Sequence, residues 1–136
     1  MKIKKIKYII CSIVSLLTVV VLLSGCSGSK KIQGTWNAQD GSGQNFTIIF
    51  NNKKVSVNGK EYSYTQTAVG TQNGTNYYGI TQNGKNYSII FPDKNEDVAL
   101  MIEPDSTDNY LKGKLLYAMN KKRTPDYNSY VKKYLK

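Results

Sequence analysis

Apolar residues occupy every second position along much of the chain after residue 44, a period typical of β-strands with one buried face. The clearest example runs from Phe46 to Phe50, and Val55 and Val57 continue it. The pair Asn58-Gly59 follows, and such pairs accept the positive φ angles of a two-residue type I′ turn. A second alternating stretch comes after the turn, so the pattern predicts a β-hairpin over residues 46–64.

A short repeat supplies two more turns of the same kind. Residues 71–77 read TQNGTNY and residues 81–87 read TQNGKNY, an offset of ten residues. This spacing suits a strand followed by a tight turn, so it predicts consecutive hairpins. The tyrosines near the ends of the repeats have two interpretations. Either Tyr77, Tyr78 and Tyr87 pack within the sheet, because tyrosine favours strands, or they form a rim that contacts a partner.

Further strands are indicated by apolar runs bounded by turn residues. They are predicted at residues 34–38, 87–91, 98–102 and from about 109 to 119, the last with Leu115, Tyr117 and Met119 on one face. The total is eight strands in about 90 residues. Eight antiparallel strands either close into a barrel or form a two-layer sandwich, and closure removes the exposed edges. We therefore predict an all-β fold, a small antiparallel eight-stranded meander barrel.

The end of the chain has a helical period instead. Thr124-Pro125-Asp126 is typical of a helix start, with a hydroxyl to cap, proline in the first turn and an acid near the positive end of the dipole. Apolar positions then recur three and four residues apart, at Tyr127, Tyr130, Val131, Tyr134 and Leu135. This pattern predicts an amphipathic helix of about three turns. Its apolar face either packs on the outside of the barrel or lies in a membrane interface.

The beginning of the chain has the features of a signal peptide. Lys2, Lys4, Lys5 and Lys7 precede an apolar run from Tyr8 to Leu23, as in the charged and apolar regions of exported proteins. The run holds 23 − 8 + 1 = 16 residues, fewer than the roughly 20 that a membrane-spanning helix needs. It ends in small residues and a cysteine, which favours cleavage over retention as a membrane anchor.

The tetrad Leu23-Ser24-Gly25-Cys26 resembles the lipobox of bacterial lipoproteins, which has an aliphatic residue, two small residues and a cysteine. The resemblance implies that Leu23, Ser24 and Gly25 are recognised by the lipoprotein signal peptidase and that Cys26 receives diacylglycerol and further acyl chains such as palmitate. Two or more acyl chains would anchor the protein stably, whereas one chain alone is marginal. The alternatives are an uncleaved signal anchor and an ordinary secretory cleavage.

These features divide the chain into four parts. We expect a lipoprotein signal peptide at residues 1–25, a flexible tether at 26–31, the β-barrel domain at 32–123 and the basic amphipathic helix at 124–136. The expected location is the cell membrane, with the domain lipid-anchored on the extracytoplasmic face of the cell envelope. The covalent diacylglycerol at Cys26 is the only attached group that we expect, and no cofactor.

The charge is concentrated near the end of the chain. The net charge of +10 includes four lysines of the leader, so +6 remains from residue 26 onward. Residues 26–109 have seven lysines and eight acids, whereas residues 110–136 have eight basic residues and one acid. Lys121, Lys122 and their neighbours are therefore candidate contacts for anionic lipid or wall polymer. The other interpretation is a solvated basic face that aids solubility. Nucleic acid is not an expected partner, because no reading motif is present.

A further resemblance concerns the domain. Gly34-Thr35-Trp36 at the start of the first strand, a predicted eight-stranded meander and a basic residue just before a C-terminal helix together resemble the lipocalins and wider calycins. In that family the tryptophan closes one end of the barrel and an arginine packs over its ring. The matching residues here are Gly34, Trp36 and Arg123, and the last two are the single tryptophan and the single arginine. Guanidinium groups favour indole faces, which agrees with such a pair.

The sequence offers few groups for catalysis. It has no histidine, and its two cysteines are Cys11 in the leader and Cys26, so no Ser-His-Asp or Cys-His arrangement can form. We predict no catalytic residue and no metal site. The favoured function is a non-catalytic binding module for a small ligand, a glycan or a protein, since tyrosine suits such contacts. The alternative is an accessory envelope protein that touches anionic lipid or wall polymer through its basic end.

Overall fold

The computed structural model describes residues 27–135, which form one nine-stranded antiparallel sheet and one helix. The strands are β1 (Gly34–Gln39), β2 (Asn45–Phe50), β3 (Lys54–Val57), β4 (Lys60–Ser63), β5 (Thr65–Gln72), β6 (Thr75–Gln82), β7 (Lys85–Phe91), β8 (Val98–Ser106) and β9 (Asn109–Asn120). Helix α1 spans Tyr127–Tyr134. The structure confirms the predicted antiparallel β class and the C-terminal helix. The leader and Cys26 lie outside the described residues.

The three Asn-Gly pairs form the predicted hairpin turns. Asn58, Asn73 and Asn83 have φ angles of 50°, 53° and 53°, and the glycine after each is also at positive φ. Each pair joins strands whose last and first residues face each other, such as Val57 and Lys60. These are the backbone angles that a type I′ turn requires at both central positions, and asparagine followed by glycine adopts them at low cost.

The sheet runs in the order β4-β3-β2-β1-β9-β8-β7-β6-β5. Each neighbouring pair is antiparallel, so β4 and β5, first and ninth in this order, run in the same direction. Only Tyr64 lies between them in the chain. One intervening residue spans at most about 7 Å. The end of β4 and the start of β5, the two edge strands of the sheet, are therefore held close together at Tyr64.

This arrangement explains why the structure has nine strands where eight were predicted. Residues 60–72 continue in one direction, but the first part pairs with β3 and the second part pairs with β6. Tyr64 separates the two parts because its backbone N–H donates to the Lys53 carbonyl at 3.0 Å and its hydroxyl donates to the Asn51 carbonyl. No ladder joins β4 to β5, so hydrogen bonding does not close the sheet.

The sheet buries both of its faces. The inner face holds the larger cluster, built around Trp36, Ile48, Phe50, Ile80, Ile89 and Met119. The outer face holds Ile90, Leu100, Ile102 and Leu115, and α1 packs over them. The Tyr127 hydroxyl donates to the Leu115 carbonyl at 2.8 Å, which fixes the helix to β9. Of the two placements predicted for the helix, the structure thus shows the one in which it packs on the outside of the sheet.

The start of the helix differs from the prediction. The N-cap residue is Asp126 rather than Thr124, because Asp126 Oδ2 accepts hydrogen bonds from the Ser129 backbone N–H and hydroxyl. These two hydrogen bonds lower the pKa of Asp126. Within residues 27–135, no helix is both long and apolar enough to cross a membrane.

A β-bulge in β9 overturns the prediction that Leu115, Tyr117 and Met119 share one face. Leu115 pairs with Ile102, but Tyr117 pairs with Met101, which leaves Leu116 as an extra residue. An extra residue shifts the alternation of the strand. Leu115 therefore belongs to the outer cluster, while Tyr117 and Met119 pack in the inner one.

The N-terminal segment is attached to the sheet earlier than expected. Gly28 is buried, and its N–H donates to the Asn52 carbonyl at 2.8 Å. The Ser29 N–H donates to Gln66 Oε1 at 2.7 Å, so this segment bridges β5 and the loop before β3. A flexible tether was predicted over residues 26–31, with the domain beginning at Ile32. Among residues 27–31, these contacts place the start of the folded part at Gly28.

Candidate functional site

A cavity of about 220 Å³ lies on the inner face of the sheet. Most of its lining is apolar, with Ile48, Val55, Val57, Ile80, Met101 and Leu116. Its polar groups are the side chains of Tyr62, Gln82, Tyr87 and Tyr117. These ten side chains carry no formal charge at neutral pH, so the cavity offers apolar surface with a few hydrogen-bonding groups. That composition is typical of sites for small molecules.

The alternation of strand directions gives the molecule two ends. The Trp36 end comprises the segments 27–33, 51–53, 73–74, 92–97 and 121–123. The cavity end comprises the turns 40–44, 58–59, 83–84 and 107–108. Val57 and Gln82 line the cavity and are the last residues before two of these turns. Part of the cavity lining therefore lies beside the turns of the cavity end, opposite the end at which residue 27 enters the domain.

Tyr117 lies in the wall of this cavity because the bulge at Leu116 turns it inward. Its ring packs edge-on against Phe46 with centroids 5.2 Å apart. Burial raises the pKa of the Tyr117 hydroxyl, and the proximity of Asp40, Tyr62 and Tyr87 raises it further. The phenol therefore stays neutral over a wide pH range, and it presents a hydroxyl group for hydrogen bonding rather than a charge.

At the other end of the inner face, Trp36 is completely buried. Its side chain is 0% exposed, its Nε1–H donates to the Ile32 carbonyl at 2.9 Å, and its ring packs edge-on against Phe91. Lys121 Nζ lies 4.9 Å from the ring centroid. The ring is thus fully buried near the Trp36 end, with a cation over its face.

The cation is a lysine rather than the predicted Arg123. Asn120 Oδ1 accepts hydrogen bonds from the backbone N–H groups of Lys122 and Arg123, at 2.8 and 3.1 Å. These bonds form a tight turn after β9, in which Lys121 lies over the indole while Arg123 is exposed. Lys122, the other predicted basic contact, forms an ion pair with Asp97 at 3.3 Å.

The three tyrosines singled out from the repeat do not form one rim. Tyr77 is on the outer face, where it stacks on Tyr110 with centroids 5.3 Å apart. Tyr78 follows it in the strand and therefore faces inward, where it packs edge-on against Phe91. Tyr87 lines the cavity. Only Tyr87 of this set is part of the candidate site.

A second depression of about 190 Å³ is lined by Lys85, Asn86 and residues 103–107. Lys85 and Glu103 approach to 4.0 Å across it, and both side chains are well exposed. Its lining is mainly polar and its ion pair is solvated, so the inner cavity is the better candidate site.

The comparisons with known proteins found no match: no protein family, no characterised protein and no solved structure is detectably similar to this chain. Within residues 27–135, no group of three or more His, Cys, Asp or Glu side chains is placed to hold a metal ion. The cavity and the charge distribution are therefore the features of the described residues that bear on function.

Proposed function

We propose that this protein is a membrane-anchored, extracytoplasmic lipoprotein whose β-domain is a non-catalytic binding module for a small ligand. Cys26 would carry the diacylglycerol, and Leu23, Ser24 and Gly25 would direct cleavage. Support for the anchor comes from the basic start, the short apolar run and the lipobox-like tetrad. Support for the barrel-like, lipocalin-like form of the domain comes from the two sheet edges that meet at Tyr64 and the fully buried tryptophan near one end.

The tyrosine-lined cavity is the observation that supports binding most directly. Its volume of about 220 Å³ is below the range of about 300–1,000 Å³ for drug-sized ligands. A cavity of about 150 Å³ is large enough for benzene. The ligand is therefore a compact, neutral molecule of about ten non-hydrogen atoms, or a part of a larger molecule that inserts into the cavity. Phenol and carboxamide groups would orient it by hydrogen bonding.

The same lining supports a binding role over catalysis. General acid–base catalysis works best with groups whose pKa lies near the operating pH. The cavity presents phenols and one carboxamide, and the pKa of Tyr117 is raised further from neutrality by burial.

A thermal-unfolding experiment with indole tests the binding proposal. Indole is neutral, compact and able to donate one hydrogen bond, so we expect it to raise Tm of the detergent-solubilised protein. Val57→Trp should fill the cavity and abolish the increase, because Val57 lines it. Val69→Trp is the matched control, since Val69 is 55% exposed on β5 and outside the lining.

Two results would contradict the proposal. An increase in Tm that persists in Val57→Trp would place indole elsewhere on the protein. Absence of any increase with indole and with a panel of neutral one-ring alcohols and monosaccharides would remove the support for a small-ligand site.

An accessory role in the envelope is the second candidate. Its support is the cluster Lys121-Lys122-Arg123, in which Arg123 is exposed and Lys122 is largely exposed despite its ion pair. This cluster would contact anionic lipid or wall polymer. Reversing the three charges to glutamate should weaken binding to anionic envelope material. Unchanged binding in that variant would rule the accessory role out.

A further inference from the structure

The charges of the domain are distributed unequally between its two ends. The segments of the Trp36 end, with Lys54 at the start of β3, hold eight basic residues and three acidic ones: Lys30, Lys31, Lys53, Lys54, Lys94, Lys121, Lys122, Arg123, and Asp93, Glu96, Asp97. Their net charge is 8 − 3 = +5. The turns of the cavity end, with the first residue after each, hold Asp40, Lys60, Lys85 and Asp108, a net charge of zero.

Four of the five segments of the Trp36 end are bonded to one another, and these four carry its charges together with Lys54, so the charges share one surface. Lys31 Nζ lies 2.7 Å from Glu96 Oε1, which joins the N-terminal segment to the loop between β7 and β8. The Lys121 N–H donates to the Asp97 carbonyl at 2.9 Å, which joins that loop to the end of β9. Gly28 is bonded to Asn52 in the loop that contains Lys53. Seven of the eight basic residues are exposed, and Lys121 is half-buried.

The chain leaves the proposed lipid anchor at this same end. Gly28 is buried and bonded to Asn52, and only Ser27 separates it from Cys26. Two residue steps span at most about 7 Å. If Cys26 carries acyl chains, as proposed above, the headgroup region has to lie within that distance of the Gly28 backbone.

From the short connection and the charge we propose that the Trp36 end is a membrane-docking face that contacts anionic lipid headgroups. This inference rests on the proposed lipid anchor at Cys26. Each basic residue close to an anionic bilayer strengthens association about fivefold. The basic residues lie at the end of the domain that the short connection to Cys26 places next to the membrane. The charge near the anchor reaches beyond the C-terminal cluster, because it includes Lys30, Lys53, Lys54 and Lys94.

The orientation has a consequence for the binding cavity. Because Val57 and Gln82 place part of the cavity lining beside the turns of the opposite end, the docked domain would present that part away from the bilayer. A ligand would therefore arrive from the aqueous side of the membrane and not from within the lipid.

The test uses the lipidated protein reconstituted into vesicles, with single cysteines introduced as sites for a fluorescent label. Asn52→Cys places the label at the Trp36 end and Thr107→Cys places it at the cavity end, and both positions are exposed loop residues. The lipidated Cys26 thiol cannot react with the label, and Cys11 is removed with the leader. Vesicles contain a headgroup-linked quencher in either phosphatidylcholine alone or phosphatidylcholine with phosphatidylglycerol.

In the phosphatidylglycerol vesicles, we expect strong quenching of the label at position 52 and little at position 107. The difference should shrink in phosphatidylcholine alone and in a Lys54→Glu/Lys94→Glu variant. Equal quenching at the two positions in protein that floats with the vesicles would overturn the docking face and leave the anchor intact. Protein that does not float with either vesicle would overturn both. A third outcome is that soluble polyglycerol phosphate binds over the label at position 52 while the vesicles do not quench that label. This outcome would assign the face to a wall polymer and overturn the lipid assignment.

Discussion

Gly28 packs directly against the phenol ring of Tyr64, with no room for a Cβ between them. The contact joins the first described turn of the chain to the point at which the two sheet edges meet. Tyr64 in turn packs edge-on against Phe50, with centroids 5.4 Å apart. The meeting point of the two sheet edges therefore depends on three segments that are distant in sequence, those of Gly28, Phe50 and Tyr64.

Gly28→Ala should destabilise the domain. A methyl group at this position would overlap the Tyr64 side chain, and overpacking of this kind costs about 1–3 kcal/mol. Ser27→Ala is the matched control, because Ser27 is exposed, and its effect should be within about 0.5 kcal/mol. Urea unfolding of the detergent-solubilised protein measures both. Equal midpoints for the two variants would show that the Gly28 contact does not hold this meeting point.

Tyr64 should make the stability decrease at high pH. Burial raises the pKa of its hydroxyl from 10.0 to about 12, because the interior disfavours the phenolate. The folded state therefore keeps the proton more tightly than the unfolded state. The associated stability is present below pH 10 and is lost as the pH rises from 10 to about 12.

Tyr64→Phe separates this contribution from those of the other buried tyrosines. The variant loses the hydrogen bond to Asn51, so it should be less stable at pH 8, and its stability should fall less steeply between pH 10 and 12. The slope is measured by urea unfolding at several pH values. Identical slopes in the two proteins would mean that the pKa of Tyr64 is the same in the folded and unfolded states.

Lys121 and Arg123 should respond differently to substitution. Lys121→Gln removes the cation over the Trp36 ring and should cost about 0.5–1 kcal/mol, with a change in tryptophan fluorescence. Arg123→Gln affects an exposed side chain and should change stability by less than about 0.5 kcal/mol. If Arg123→Gln instead altered the tryptophan emission while Lys121→Gln did not, arginine would be the residue over the ring.

The bulge in β9 predicts that one deletion is tolerated better than another. Removing Leu116 leaves Leu115 opposite Ile102 and Tyr117 opposite Met101, so the alternation from Gly113 to Asn120 becomes regular. Removing Ala118 would instead move Met119 off the inner face, since a shift by one residue exchanges the two faces of a strand. Thermal unfolding should show a folded protein for the first deletion and an unfolded or much less stable protein for the second. Similar unfolding temperatures for both would contradict the assigned register.

Local signals predicted most of the strands and all three tight turns. Alternation placed β2 and β3 correctly, the strand predicted at residues 34–38 corresponds to β1, and each Asn-Gly pair formed the turn that its backbone preference requires. The misses depend on contacts between distant residues. The division at Tyr64 is fixed by Asn51 and Lys53, and the residue over Trp36 is decided by two bonds to Asn120. Neither leaves a periodic signal in the sequence.

The candidate cavity was less predictable than the fold. Alternation indicates that Tyr62 lies on the buried face of its strand. It does not indicate which residues from other strands lie opposite Tyr62. Tyr117 reaches the cavity only because Leu116 bulges, and an apolar run such as that of β9 gives no warning of an extra residue. The start of the helix is recognisable locally, since Asp126 and Ser129 have the spacing of a cap and its partner, but the hydroxyl of Thr124 also suits a cap.

The lipid anchor at Cys26 is the claim on which the location, the docking face and the orientation of the cavity all depend. Mass spectrometry of the N-terminal peptide, from protein isolated with the membranes of the producing bacterium, tests it most directly. We expect the peptide to begin at Cys26 and to carry diacylglycerol, with either an additional acyl chain or a free amine at its N-terminus. A peptide that retains residues 1–25, or one that begins at Cys26 or beyond without lipid, would contradict it.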